Sequence, residues 1–301
     1  MLVHLAIGDA YGAGFEYAPA AFVTEHNTLE RYVQHGKHAG ITPGRYTDDT
    51  QMTLAVAELL VDGGPWTPEA LADRFFEVFD RDPREGYASG FHGLLSDVDS
   101  GAELLRRLRP HSDKSGAAMR VSPVGLLPTV PDVLRYADIQ ARVTHDSPGG
   151  VASSQAAALA VFYCDRAPGP LADLPAWIAS HVEGPWETPW RGTVGSAGMD
   201  SARAAITALA AHRTMSALLR ACVAYTGDVD TVATIALAAA SRSPEITDDL
   251  PAHLVDTLED GPYGRAYLST VDEKLTRGRP APGPPGQPRQ TSQEPDSLTS
   301  E

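Results

Sequence analysis

The chain has 301 residues and a mass of 32.0 kDa, and its 43% hydrophobic and 21% charged residues supply enough apolar side chain for a sizeable core. Twenty-four Lys and Arg against 39 Asp and Glu give a formal charge of −15, which disfavours a general electrostatic grip on nucleic acid or an anionic membrane. A small phosphorylated ligand stays open, because backbone amides and one divalent cation outweigh global charge locally.

The opening MLVHLAIGDAYG has a short apolar run without a basic region, so it reads as the clipped first helix of a domain rather than an export signal. Apolar residues recur at spacings of three and four in residues 50–61, 68–79, 151–163 and 230–240, which predicts helices. Glu69, Asp73, Arg74 and Glu77 place 68–79 on the outside, whereas 151–163 and 230–240 are apolar on nearly every face and belong in the middle. Fourteen Ala between 202 and 240 favour helix and let helices approach closely. Strand-type alternation is scarce. The expected fold is all-α: a single-domain compact helical bundle over residues 1–276.

From Arg277 onward, six Pro and three Gly leave Leu298 as the one sizeable apolar side chain, so 277–301 is expected to be a disordered tail. Cys164 and Cys222 lie in Ala-rich apolar stretches without metal-type spacing and read as reduced core residues. No segment reaches the apolar length that spans a bilayer. A cytoplasmic monomer is the expectation.

Two acidic clusters stand before two of the buried helices: Thr47-Asp48-Asp49-Thr50 and Gly227-Asp228-Val229-Asp230-Thr231. Either alone reads as a helix cap, since Thr and Asp are favoured N-caps and carboxylates suit the positive end of a helix. Together they offer more charge than capping requires, and surplus buried charge needs a partner. Two divalent cations would neutralise four carboxylates if the helix starts converge. An all-oxygen set selects a hard ion such as Mg²⁺, Mn²⁺ or Ca²⁺.

GDAYGAGFE (8–16), GRYTDDTQM (44–52), KSGAAMR (114–120), THDSP (144–148) and TGDVDTVA (226–233) resemble, in that order, the signature of the ADP-ribosylglycohydrolase family. The resemblance implies an all-α domain with a dinuclear Mg²⁺ or Mn²⁺ site between helix N-termini. It implies a hydrolase that binds ADP-ribose by its distal ribose and releases it from a modified protein or a small ADP-ribosyl conjugate. Carried over by position, the metal ligands are Thr47, Asp48, Asp49, Asp228, Asp230 and Thr231. Glu16 falls on a loop over the metals and is assigned as general acid or base. Asp48, with Asp49, Asp228 or Asp230, is assigned to orienting the attacking water.

Ser115, Gly116 and Met119 match the family's phosphate loop, and His145 its Thr-His motif, so these four are the expected substrate contacts. Lys114 and Ser115 stand where the pattern has Gly-Asn, and no aromatic stands at Met199, where some relatives cover the adenine. Two other readings use the same residues: a non-hydrolytic ADP-ribose-binding protein and a metal-dependent nucleotide phosphohydrolase.

Overall fold

The computed structural model describes residues 1–277, and nearly all of the expected 277–301 tail lies outside them. Among the described residues the fold is all-α, with four isolated bridges and no sheet. Its helices are α1 (Leu2–Ala13), α2 (Ala20–His26), α3 (Asp48–Asp62), α4 (Pro68–Arg81), α5 (Ser89–Asp97), α6 (Gly101–Arg107), α7 (Gly116–Met119) and α8 (Val130–Arg142). They continue with α9 (Pro148–Arg166), α10 (Leu174–Ala179), α11 (Gly198–Ala211), α12 (Met215–Ala224), α13 (Val229–Ala240), α14 (Ala252–Asp256) and α15 (Arg265–Thr276).

Helix α13 is the centre: all twelve of its residues, from Val229 to Ala240, are buried. Against it lies α1, the most extensive helix pair among the described residues. The two backbones nearly touch. A β-carbon on Gly8 would stand 2.6 Å from the Ala233 carbonyl oxygen, so only glycine lets α1 settle onto α13 at this depth. Helices α9 and α11 pack on the same central element, and one continuous hydrophobic cluster runs from Met1 to Val271.

Helix α4 is amphipathic as its sequence predicts. Pro68 opens it, the Thr67 side chain accepts from the Ala70 amide, and Leu71, Ala72, Phe75, Val78 and Phe79 form its inner face. Helix α9 runs longer than 151–163. The Ser147 hydroxyl accepts from the Gly150 amide at 3.0 Å, a cap worth about 1 kcal/mol, and the helix continues to Arg166. No helix among the described residues is long and apolar enough to cross a membrane.

Candidate metal and substrate site

The clusters expected to precede α3 and α13 lie partly inside them. Asp48 and Asp49 occupy the first turn of α3, Asp230 and Thr231 that of α13, and Asp228 is the α13 N-cap residue. Neither cluster works as a cap, because neither helix start receives a capping hydrogen bond from its own N-cap side chain.

For α3 the reason is a residue that sequence reasoning left without a role. Asp9 of α1 is fully buried, and its carboxylate accepts four hydrogen bonds from the start of α3. Two come from Thr47 (amide 2.9 Å, hydroxyl 2.7 Å) and two from Thr50 (amide 3.0 Å, hydroxyl 2.6 Å). Asp9 therefore caps α3 from another helix. The same α1 touches α13 through Gly8 and Gly12, so one element fixes where both acidic helix starts sit.

Segment 193–197 ties in the remaining motifs. The Val194 amide donates to Thr226 at 2.9 Å, and its carbonyl accepts from the Asp228 amide at 3.2 Å. Two residues further on, the Ser196 carbonyl accepts from the Ser115 amide at 3.1 Å. The Ser201 hydroxyl donates to Asp228 Oδ2 at 2.9 Å.

These tethers line one cleft of about 1050 Å³ with Glu16, Asp48, Asp49, Asp228, Asp230 and Thr231. Ser115, Gly116, Met119 and His145 line it too, so ten of the eleven expected site residues meet there. Thr47 does not line it; it is buried beneath, with its hydroxyl hydrogen committed to Asp9. Glu16, Asp228 and Asp230 each present an oxygen within 4.8 Å of the others, a group able to hold a metal ion. Helix α7, which begins at Gly116 and so contains two of the three phosphate-loop residues, is a single turn, and its dipole adds little for an anion.

The carboxylates are held in a state that calls for a cation. Burial pushes Asp49 well above the usual carboxylate range, and the charges of Asp9, Asp48 and Asp228 push it further. Asp230 is raised in the same way, by burial first and then by Glu16, Asp49 and Asp228. Asp48 is raised by burial and by Asp9 and Glu16, and Asp228 by burial and Glu16. Asp49 Oδ1 and Asp230 Oδ1 are buried without any hydrogen-bond partner. Native proteins rarely leave such atoms unpaired. An all-oxygen, strongly anionic set with two orphaned oxygens fits hard divalent cations.

His145 is buried and neutral, its pKa pushed down to about 3 by burial, Arg120 and Lys114. No aromatic lies at Met199, and the cleft's aromatic side chains are instead Tyr17, Tyr87 and Phe91.

The sequence pattern of one known family matches residues 1–284, spanning every motif that lines the cleft. The chain belongs to the ADP-ribosylglycohydrolase family. A family relative, ADP-ribosylhydrolase ARH3 of Homo sapiens, is 31% identical over 171 residues, covering 52% of this chain and 46% of that protein. The ADP-ribosyl-[dinitrogen reductase] glycohydrolase of Rhodospirillum rubrum is 28% identical over 149 residues, 48% of this chain and 49% of its own. The chain spans about half the length of the curated relatives it matches. A solved structure described as an ADP-ribosylglycohydrolase-related protein complex shares the fold, with a TM-score of 0.69 at 24% identity over 92% of this chain and 95% of that one.

Proposed function

We propose that this protein is a metal-dependent hydrolase that cleaves the glycosidic bond between ADP-ribose and a modified acceptor, either a protein side chain or a small ADP-ribosyl conjugate. The observation that carries the reading is the pair of unpartnered buried oxygens, Asp49 Oδ1 and Asp230 Oδ1, in a cleft walled by carboxylates from two helix starts. Asp48, Asp49, Asp228, Asp230 and Thr231 would hold two Mg²⁺ or Mn²⁺ ions from the cleft wall, and Thr47, beneath it, would join them through an oxygen lone pair while its hydrogen stays on Asp9. Such ions, when bound, grip a ribose diol and lower the pKa of water toward about 7.

The chain's own residues supply the rest. Breaking the bond at the ribose anomeric carbon builds oxocarbenium character, which the surrounding carboxylates stabilise. Asp48 orients the attacking water. Glu16 exchanges the proton, as acid toward the leaving group or base toward the water. Ser115, Gly116 and Met119 shape the wall for the diphosphate, and neutral His145 offers one ring nitrogen as donor without adding charge.

The test is product analysis with purified protein, Mg²⁺ or Mn²⁺, and a panel of arginine-, serine- and ester-linked ADP-ribosyl substrates. The expected product is free ADP-ribose with its pyrophosphate intact, and exhaustive chelation should abolish its release. AMP and ribose phosphate would instead identify a nucleotide phosphohydrolase. Binding of ADP-ribose without turnover on any linkage would leave a binding protein.

A further inference from the structure

Glu16 sits on the turn after α1, where its own amide makes only a long 3.4 Å bond to the Ala13 carbonyl. On one side of its carboxylate are Asp228 and Asp230. On the other is His35, from the segment between α2 and α3, whose Nε2 lies 3.4 Å from Glu16 Oε2. The His35 side chain is 4% exposed. It belongs to none of the sequence motifs.

Its tautomer is set by the backbone. His35 Nδ1 accepts hydrogen bonds from the Lys37 amide at 2.9 Å and the His38 amide at 3.0 Å. A nitrogen that accepts twice carries no proton, so the ring hydrogen is on Nε2, the atom that faces Glu16. The segment around His35 is itself fixed. Gln34 Nε2 donates to the carbonyls of His38 at 3.2 Å and Ile41 at 2.7 Å. A β-carbon at Gly14 would stand 2.5 Å from the Val33 carbonyl oxygen, so this segment is pressed against the turn that carries Glu16.

We propose that His35 is a positioning residue for Glu16: its Nε2–H holds one carboxylate oxygen, keeps the group turned toward Asp228 and Asp230, and leaves the other oxygen for proton exchange. A neutral donor does this without placing a cation beside the metal-binding carboxylates. At 3.4 Å the pair is in ion-pair range and is not yet a hydrogen bond, so the Glu16 carboxylate has to approach by a few tenths of an ångström in the working enzyme. The inference rests on the proposed proton-transfer role of Glu16 and adds the residue that aims it.

Two conservative replacements separate aiming from loop structure. His35→Asn keeps an acceptor near the Nδ1 position and loses the donor toward Glu16; His35→Gln keeps a donor near the Nε2 position and loses the acceptor for the loop amides. The full chain with Mg²⁺ is assayed for kcat and KM on an ADP-ribosylated substrate, for ADP-ribose affinity by calorimetry, and for melting temperature. The expected result is a kcat loss on the order of 10- to 100-fold in His35→Asn, with KM and ADP-ribose affinity within a few-fold of wild type. His35→Gln should keep most of the rate even if it melts lower. The reverse order, rate kept by Asn and lost by Gln, makes His35 a loop-structure residue and overturns the proposal. The double variant His35→Asn with Glu16→Gln should be no slower than Glu16→Gln alone, because both act on one carboxylate. Multiplied losses would overturn the proposal while leaving the role of Glu16 intact. An unchanged rate in Glu16→Gln alone would instead remove the role of Glu16, a failure distinct from that of His35.

Discussion

Gly12 of α1 lies so close to Asp230 that a β-carbon there would overlap the Asp230 α-carbon and stand 2.8 Å from its backbone nitrogen. Asp230, in the first turn of α13, is therefore placed by backbone contact, which unlike a side-chain bond has little room to relax. Gly12→Ala has no flexible atom to displace. It should push Asp230 away from Glu16 and Asp228, cost about 1–3 kcal/mol as an overpacked contact, and weaken the rise in melting temperature produced by Mn²⁺. Differential scanning fluorimetry with and without Mn²⁺ reads both effects. Gly36→Ala, which meets nothing within 4 Å, is the control, and equal behaviour of the two variants would refute the contact's importance.

Asp9 carries the corresponding burden for α3. Asp9→Asn keeps the shape but turns an NH₂ group toward donors: the amides and hydroxyls of Thr47 and Thr50. At least one buried donor then loses its acceptor. The expected loss is about 2–4 kcal/mol in urea unfolding, together with weaker divalent-cation binding because Asp48 and Asp49 follow Thr47. Retained stability would mean that Asp9 is not the organiser of that helix start.

The legibility of Asp9 differs from that of the residues it positions. Asp48, Asp49, Asp228 and Asp230 stand out because two carboxylates in a short stretch before an apolar helix exceed what a cap needs. Asp9 is one carboxylate in an apolar run, and its partners lie 38 and 41 residues away. No local pattern records such a bond. His35 was hidden likewise, in a polar stretch that reads as loop. Four of the long helices were visible by period, since α3, α4, α9 and α13 each carry enough apolar residues to show one, whereas α8 and α15 were not read. Helix α5, which forms a cleft wall, escaped because SGFHGLLSD is too rich in glycine and too short for a face to emerge. Taken singly each cluster reads as a cap, and neither is one; at α3 the Thr47 hydroxyl is engaged by Asp9 instead.

Asp49→Asn should divide stability from binding. In the metal-free protein Asp49 is buried against the like charges of Asp9, Asp48 and Asp228. Neutralising it removes repulsion, so the metal-free variant should melt higher than wild type, by about 2–5 °C. The same change deletes an anionic donor, so added Mg²⁺ or Mn²⁺ should raise the midpoint far less and turnover should be lost. Thermal melts with chelator and with metal give both numbers. A metal-free variant that melts well below wild type would show that Asp49 holds the fold rather than an ion.

His145 supplies a pH dependence of definite sign. Thr144 Oγ1 accepts from Arg120 Nη2 at 2.7 Å and shares a hydrogen bond with His145 Nδ1, 2.6 Å away. Burial, then the positive charges of Arg120 and Lys114, take the His145 pKa down to about 3 from an ordinary 6.5. Between these values the unfolded chain binds a proton that the folded protein refuses. The His145 contribution to stability is therefore complete above about pH 6.5 and is lost as pH falls toward 3, with a slope approaching about 1.4 kcal/mol per pH unit. His145→Gln has no such proton to take up. Urea unfolding of wild type and variant at pH 7, 6 and 5 should show the wild-type advantage shrinking, or reversing, toward pH 5. A difference independent of pH would mean that folded His145 accepts the proton, and that the Arg120 and Thr144 contacts do not hold it neutral in the cleft.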